Sequence, residues 1–189
     1  MWKKVSTSAN CQKMAIQLLI DENGWRADVF RRGNAYLVIV NFGYDPVIDH
    51  TYSVMVGLEP LPGGGMEHFF CVIAADNVNG IETTYHSGLE TANLLDKEAR
   101  KSVLALVLMA TRSLLNEARP DAVQRFTWDA NAPEKALRKH FAVAKIMETC
   151  GYTPRTSDIY HGRYVWWAER RTETGVEVHG GEDGQTSTD

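Results

Sequence analysis

The chain has 189 residues, of which 44% are hydrophobic and 23% are charged, and its formal net charge at pH 7 is −4. This length and composition suit one domain with a buried core, and they exclude the low hydrophobicity and high charge of a disordered protein. The acidic balance disfavours nucleic acid as a partner. The longest strongly apolar run, Ser102 to Ala110, is about half of the roughly 20 residues that a membrane-spanning helix needs, so we expect no membrane association.

Cysteine usage and the N-terminal segment lead us to expect a cytoplasmic protein. Cys11, Cys71 and Cys150 are odd in number and widely spaced, which argues against a disulfide framework. The apolar run from Met14 to Ile20 is short and lacks a small-residue cleavage pattern, so we expect no signal peptide. We predict one globular domain over residues 1–172 and a disordered polar tail over 173–189.

The first half of the chain predicts an antiparallel meander. Gly33-Asn34 separates two strand-like runs and is typical of a hairpin turn. "TYSVMVGLEP" ends at Pro60, and "LPGGGM" predicts a flexible loop. "EHFFCVIAAD" has the composition of a buried strand, and a turn separates it from the short strand-like run "IETTYH".

The second half begins with a long helix. An apolar stripe with helical spacing predicts it, and Asp96 is a suitable N-cap, with Asn93 as the alternative. Pro120 ends the helix, and "AVQRFTW" predicts a strand. The stripe consists of Ala99, Val103, Leu106, Val107, Ala110 and Leu114.

A second helix is predicted from Pro133 to Cys150. Its apolar face is expected to contain Leu137, Phe141, Ala144 and Met147, and Gly151 supplies its C-terminal stop. The basic run "KALRKH" is expected on its solvated face. The runs "PRTSDIY" and "RYVWWAERR" then predict two paired strands around His161-Gly162.

This order of elements, and the stretch "WDANAPEKALRKHFAVAKIMETCGY" above all, resembles the GNAT family of N-acetyltransferases. In that family a strand ends near an Asn, a helix follows, and a Gly-aromatic pair closes it; the matching residues here are Asn131 and Gly151-Tyr152. The resemblance covers roughly residues 26–171. It implies an α/β fold with a central mixed, mostly antiparallel sheet flanked by two main helices.

The resemblance also implies a function, an acyl-CoA-dependent N-acyltransferase that uses acetyl-CoA or another acyl-CoA. The cofactor-binding residues would then be Tyr85, His86, Ser87, Gly88, Arg100 and Lys101. Glu82 would be the catalytic base, and Tyr152 is the tyrosine considered as the acid.

Two departures from the family pattern keep a second class of function open. The family's pyrophosphate loop, Gln/Arg-x-x-Gly-x-Gly/Ala, is represented only by Gly88, and Asp96 and Glu98 bring negative charge to the helix start. No tyrosine stands a turn before Gly151. The alternative is a non-catalytic relative that meets a protein partner through the aromatic and basic strand Arg163–Arg171.

Two other interpretations of these residues carry less weight. A zinc site at His68 and Cys71 is disfavoured because positions i and i+3 of a strand point to opposite faces, and we predict no metal. A surface histidine beside a core cysteine is the simpler interpretation. A nucleophilic Cys150 is disfavoured because the end of a helix raises the thiol pKa.

Overall fold

A computed structural model describes residues 16–19, 27–86, 88–131, 133–156, 159 and 161–172 of the chain. The tail predicted over 173–189 lies outside these residues, and so do Cys11 and Ser87. Within them the protein combines three helices with a nine-stranded, mostly antiparallel sheet. The predicted α/β class with a mixed sheet is therefore confirmed.

The sheet has the strand order β1-β3-β4-β5-β7-β9-β8, while β2 pairs with β3 and β6 pairs with β5. All its pairings are antiparallel except the one between β5 and β7. The strands are β1 (Gln17–Leu18), β2 (Phe30–Arg32), β3 (Ala35–Asp45), β4 (His50–Pro60), β5 (Met66–Asp76), β6 (Ile81–Tyr85), β7 (Ala122–Phe126), β8 (Tyr152–Thr156) and β9 (Val165–Arg170).

The helices are α1 (Gly88–Leu94), α2 (Lys97–Ala118) and α3 (Glu134–Thr149). The carboxylate of Asp96 accepts a hydrogen bond from the Ala99 amide at 2.8 Å, which confirms Asp96 as the N-cap of α2. Gly151 follows α3 with a φ of 89°, a conformation that favours glycine. No helix in the described part of the chain is long and apolar enough to cross a membrane.

The core lies between one face of the sheet and the two long helices. Val38, Val56 and Val72 project from three neighbouring strands into the same buried cluster as Leu106 of α2 and Val143 of α3. Both long helices thus pack on one face, whereas the sequence led us to expect helices flanking the sheet. The opposite face carries exposed side chains such as Ile39 and Trp167.

The long helix α2 has the predicted apolar stripe, and α3 buries three of its four predicted apolar residues, with Phe141 as the exception. Ala99, Leu106, Val107, Ala110 and Leu114 of α2 are all buried. In α3, Phe141 is 53% exposed, and the neighbouring His140 is 5% exposed. The prediction for Phe141 was wrong because His140 stacks on Trp166 of β9 and takes the inward position.

Candidate functional site

A gap between two parallel strands forms the centre of the site. β5 and β7 pair only at Met66–Glu67 with Val123–Gln124, while β6 pairs with the far end of β5 from Val72 onward. Among the described residues, the segment His68–Cys71 therefore has no ladder partner on this edge of β5, although β4 pairs with its other edge. Backbone groups at an unpaired strand edge can bind an extended ligand.

A cavity of about 1180 Å³ opens at this gap. This volume is large enough for a cofactor or a drug-sized molecule. Val72, Tyr85 and Gly88 lie on its wall where β6 passes into α1, and Thr127 and Asn131 lie on the wall beyond β7.

Four of the six residues predicted to bind the cofactor line this cavity. They are Tyr85, His86, Gly88 and Arg100. Lys101 is not on the wall; its ammonium forms an exposed ion pair with Glu98 at 2.8 Å. The prediction for Ser87 falls outside the described residues.

The two predicted acid–base residues lie away from the cavity wall. Glu82 is exposed on β6, opposite Ala75 of β5. Tyr152 is 1% exposed, and its hydroxyl donates a hydrogen bond to the Pro120 carbonyl at 2.8 Å. Burial raises the pKa of Tyr152 to about 12, so this side chain acts as a core residue.

The wall of the cavity is positively charged although the whole chain is negative. Among the described residues of the wall, six cationic side chains outnumber three carboxylates, which favours an anionic ligand. The cations are Arg32, Arg100, Arg125, Arg138, Lys139 and Arg163, and the acids are Glu59, Glu67 and Asp129.

Arg125 is the most deeply buried of these cations, with 2% of its surface exposed. It occupies the strand position that alternates with buried Val123, so its side chain points towards the helices. Its guanidinium carbon lies 5.1 Å from the centre of the Phe70 ring, a cation–π contact. Burial lowers the pKa of Arg125 to about 9, which leaves it protonated at neutral pH.

Lys139 of α3 brings a second cation to the same aromatic ring. Its ammonium nitrogen lies 5.5 Å from the centre of Phe70. A Cβ placed on Gly88 would come within 2.9 Å of this nitrogen, so Lys139 lies directly beside α1. Burial and the charge of Arg125 lower the pKa of Lys139, while Asp129 opposes that shift.

His68 and His140 are two further buried titratable groups on the wall. The Thr111 hydroxyl donates to the Val107 carbonyl at 2.7 Å, so at 2.9 Å it must accept from Nε2 of His68. A neutral His68 then carries a bare lone pair on Nδ1. Burial, followed by the charge of Arg125, lowers the pKa of His68 well below its usual range and that of His140 to about 2.

The sequence interpretation missed these buried polar residues, and the signals that could have found them are weak. His68 alternates with Phe70 and Val72, and Arg125 alternates with Val123, so strand periodicity alone places both with the core. "KALRKH" was predicted to be solvated, which holds for Arg138 but not for His140. His68 was interpreted as a surface residue and is only 2% exposed.

Glu67 and Cys71 lie on the wall and project from the other face of β5. Burial, followed by the charge of Glu59, raises the pKa of Glu67, and burial raises the pKa of the Cys71 thiol to about 11.

No group of three His, Cys, Asp or Glu side chains is arranged to hold a metal ion within the residues that the structure describes.

The strand considered for a protein partner is buried on one face, and two of its arginines contact other parts of the fold. Trp166 is 1% exposed, Arg170 pairs with Asp121 at 2.5 Å, and Arg171 donates to the Glu148 and Tyr152 carbonyls. Trp167 is 50% exposed on the sheet face opposite the helices.

Comparison with known proteins gives no family for this chain: no protein-family model, no curated protein and no solved structure matches it.

Proposed function

We propose that this chain is an acyl-CoA-dependent N-acyltransferase-like protein that binds acyl-CoA in the cavity between β5 and β7. The observation that carries the proposal is the unpaired edge of His68–Cys71, which faces a cavity lined by Tyr85, His86 and Gly88. A cleft between the middle strands is where the resemblance to the GNAT family predicts the cofactor.

The chemistry of the cavity suits the two ends of coenzyme A. The pantetheine arm contains secondary amides, and an unpaired strand edge offers the complementary donors and acceptors. The phosphates need positive charge, which the cationic wall supplies through Arg100 and Arg138 at exposed positions. The N-terminus of α2 is not the phosphate site in this proposal, because the carboxylate of Asp96 already accepts from its backbone.

Transfer to an amine also requires a group on the wall that accepts a proton. In the proposal this group is Glu67, because a carboxyl with a raised pKa is better matched to proton transfer near neutral pH. Glu82 does not line the cavity, so we do not retain it in this role. The variant Glu67→Gln should bind acetyl-CoA normally and transfer the acetyl group more slowly.

Thermal unfolding in the presence of acetyl-CoA tests the proposal. The unfolding temperature of the native chain should rise with acetyl-CoA concentration, and ADP serves as the control for nucleotide binding alone. Gly88→Leu should remove the response because its side chain would enter the cavity beside Lys139, whose flexible end can move aside. Asn93→Leu is the matched control, since Asn93 is an exposed residue of α1 that does not line the cavity.

Two results would reject acyl-CoA binding in this cavity. The first is an unchanged unfolding temperature of the native chain at millimolar acetyl-CoA. The second is an equal response of Gly88→Leu and Asn93→Leu, which would put the cofactor somewhere else on the protein.

The exposed Trp167 favours a second candidate function, the binding of a protein partner without catalysis. Trp side chains are enriched in protein interfaces, and this one lies on the uncovered face of the sheet. A pulldown with Trp167→Ala should then lose a partner that Phe141→Ala, a change at another exposed aromatic residue, retains. Recovery of the same partner by both variants would reject this surface.

A further inference from the structure

Five buried side-chain atoms without a hydrogen-bond partner occur among the described residues, and all five belong to one cluster. They are Nδ1 of His68, Nε and Nη1 of Arg125, Nδ1 of His140 and Nε1 of Trp166. Most buried polar atoms in proteins are hydrogen-bonded, so a concentration of exceptions in one place calls for a physical explanation.

The cluster is one continuous layer between the sheet and α3. Arg125 and Trp166 face each other on β7 and β9, and the ring of His140 stacks on Trp166 with 4.7 Å between ring centres. Arg125 and Lys139 both contact the ring of Phe70. The guanidinium therefore lies against the Phe70 ring, and its buried Nε and Nη1 donors have no acceptor among the described residues.

The charges in this layer favour binding of an anion. Arg125 and Lys139 are cationic, and the depressed pKa values of His68 and His140 keep both histidines neutral. Asp129 is the carboxylate that acts on Lys139, and it offsets part of the positive charge. One net positive charge then remains beside an apolar surface, which suits a monoanion with an apolar body.

We propose that Arg125 and Lys139 bind the carboxylate of a small organic acid at the inner end of the cavity, with its apolar body against Phe70. Both cations belong to residues that line the cavity, which places the site at its inner end. Binding of an organic acid at this site does not depend on acyl transfer. The further assignment of this acid as the acyl acceptor, an amine that also carries a carboxylate, rests on the proposed function.

Ligand discrimination by the native chain is the first test. Benzoate should raise the unfolding temperature in a concentration-dependent manner, whereas benzamide, its neutral counterpart of the same shape, should not. Inorganic phosphate at equal concentration should also have little effect. Equal stabilisation by benzoate and benzamide, stabilisation by phosphate alone, or no response to benzoate would each overturn the proposal.

Substitution of the cations is the second test. Arg125→Met should abolish the benzoate response and raise the unfolding temperature of the free protein by a few degrees, since it removes a buried unpaired charge. Lys139→Met should weaken benzoate binding about tenfold. Arg112→Met, at an exposed arginine of α2 outside the cavity, is the matched control and should behave like the native chain.

The acetyl-CoA titration separates this proposal from the proposed function. Arg125→Met should keep its response to acetyl-CoA while it loses the response to benzoate. Loss of both responses would mean that Arg125 serves the cofactor, which contradicts a separate carboxylate site. A benzoate response in a native chain that does not bind acetyl-CoA would support this site and reject the proposed function.

Discussion

Arg125 is both a buried residue of the core and a residue of the cavity wall, so it affects stability as well as ligand binding. A buried ion without a partner costs several kcal/mol of folding free energy, and Phe70 offsets this only in part through its ring. Arg125 also acts on its neighbours, because its charge opposes protonation of His68 and His140. Protonation of either histidine would therefore place a second positive charge beside the guanidinium of Arg125.

Unfolding free energy should consequently fall in mild acid. The pKa of His140 is depressed in the folded chain, from an unfolded value near 6.5 to about 2. Its contribution to stability is complete above pH 6.5 and decreases below it, because the unfolded chain then binds the proton that the folded chain excludes. The slope is about 1.4 kcal/mol per pH unit for each such histidine.

Urea unfolding between pH 7.5 and pH 5 measures this slope. His140→Phe keeps an aromatic ring against Trp166 and should reduce the slope by the contribution of one histidine. Phe141→Leu, at another residue of α3 that contacts Trp166, removes no titratable group and should leave the slope unchanged. Equal slopes in the native chain and His140→Phe would contradict the role given to burial.

At the scale of elements, the loop before β5 sets where β5 and β7 meet. Gly65 has a φ of 75°, and a Cβ there would lie 2.9 Å from the backbone oxygen of Ala122 at the start of β7. Gly64 has a φ of 93°, but a Cβ there would meet nothing within 4 Å. Substitutions at these two glycines therefore distinguish the cost of a strained backbone conformation from the cost of a steric clash with β7.

Alanine at these two glycines should have unequal effects. Gly64→Ala should reduce the free energy of unfolding by roughly 1 kcal/mol, through backbone strain alone. Gly65→Ala should cost about 1–3 kcal/mol more, because the methyl group collides with the backbone of β7. Chemical denaturation of both variants is the measurement, and equal losses would show that this contact does not constrain the strand pair.

Local patterns predicted most of the elements, because their causes lie within a few residues. The hairpin at Gly33-Asn34, the cap at Asp96 and the stop at Gly151 each depend on turn or cap chemistry that the sequence shows directly. Which side chains of α3 are buried was less predictable. Phe141 and His140 are adjacent, and packing against Trp166 buries the histidine and leaves the phenylalanine exposed.

The site could be predicted only in part, for a physical reason. Tyr85, His86 and Gly88 were candidates because they precede the long helix, and the structure brings them to the cavity. The inward direction of Arg125 and its meeting with Lys139 depend on how strands and helices distant in the chain pack together. A charged residue in a strand also ordinarily indicates a solvated position, which hid the cationic interior.

At the scale of the whole molecule, both long helices cover one face of the sheet and the parallel pair β5–β7 opens beside them. The cavity at this opening combines an unpaired strand edge, a cationic wall and a buried cationic layer. These features together support the proposal that the cavity binds an anionic, partly apolar ligand.

Hydrogen exchange of the native chain with and without acetyl-CoA tests this account most directly, because it locates the ligand in the fold. The backbone amides of His68–Cys71 that face the gap have no strand partner among the described residues and should exchange quickly in the free protein. Acetyl-CoA should slow exchange in peptides that cover this segment and residues 85–94, but not in the Gly88→Leu variant. Protection confined to β9, or none at all at saturating acetyl-CoA, would contradict a cofactor site between β5 and β7.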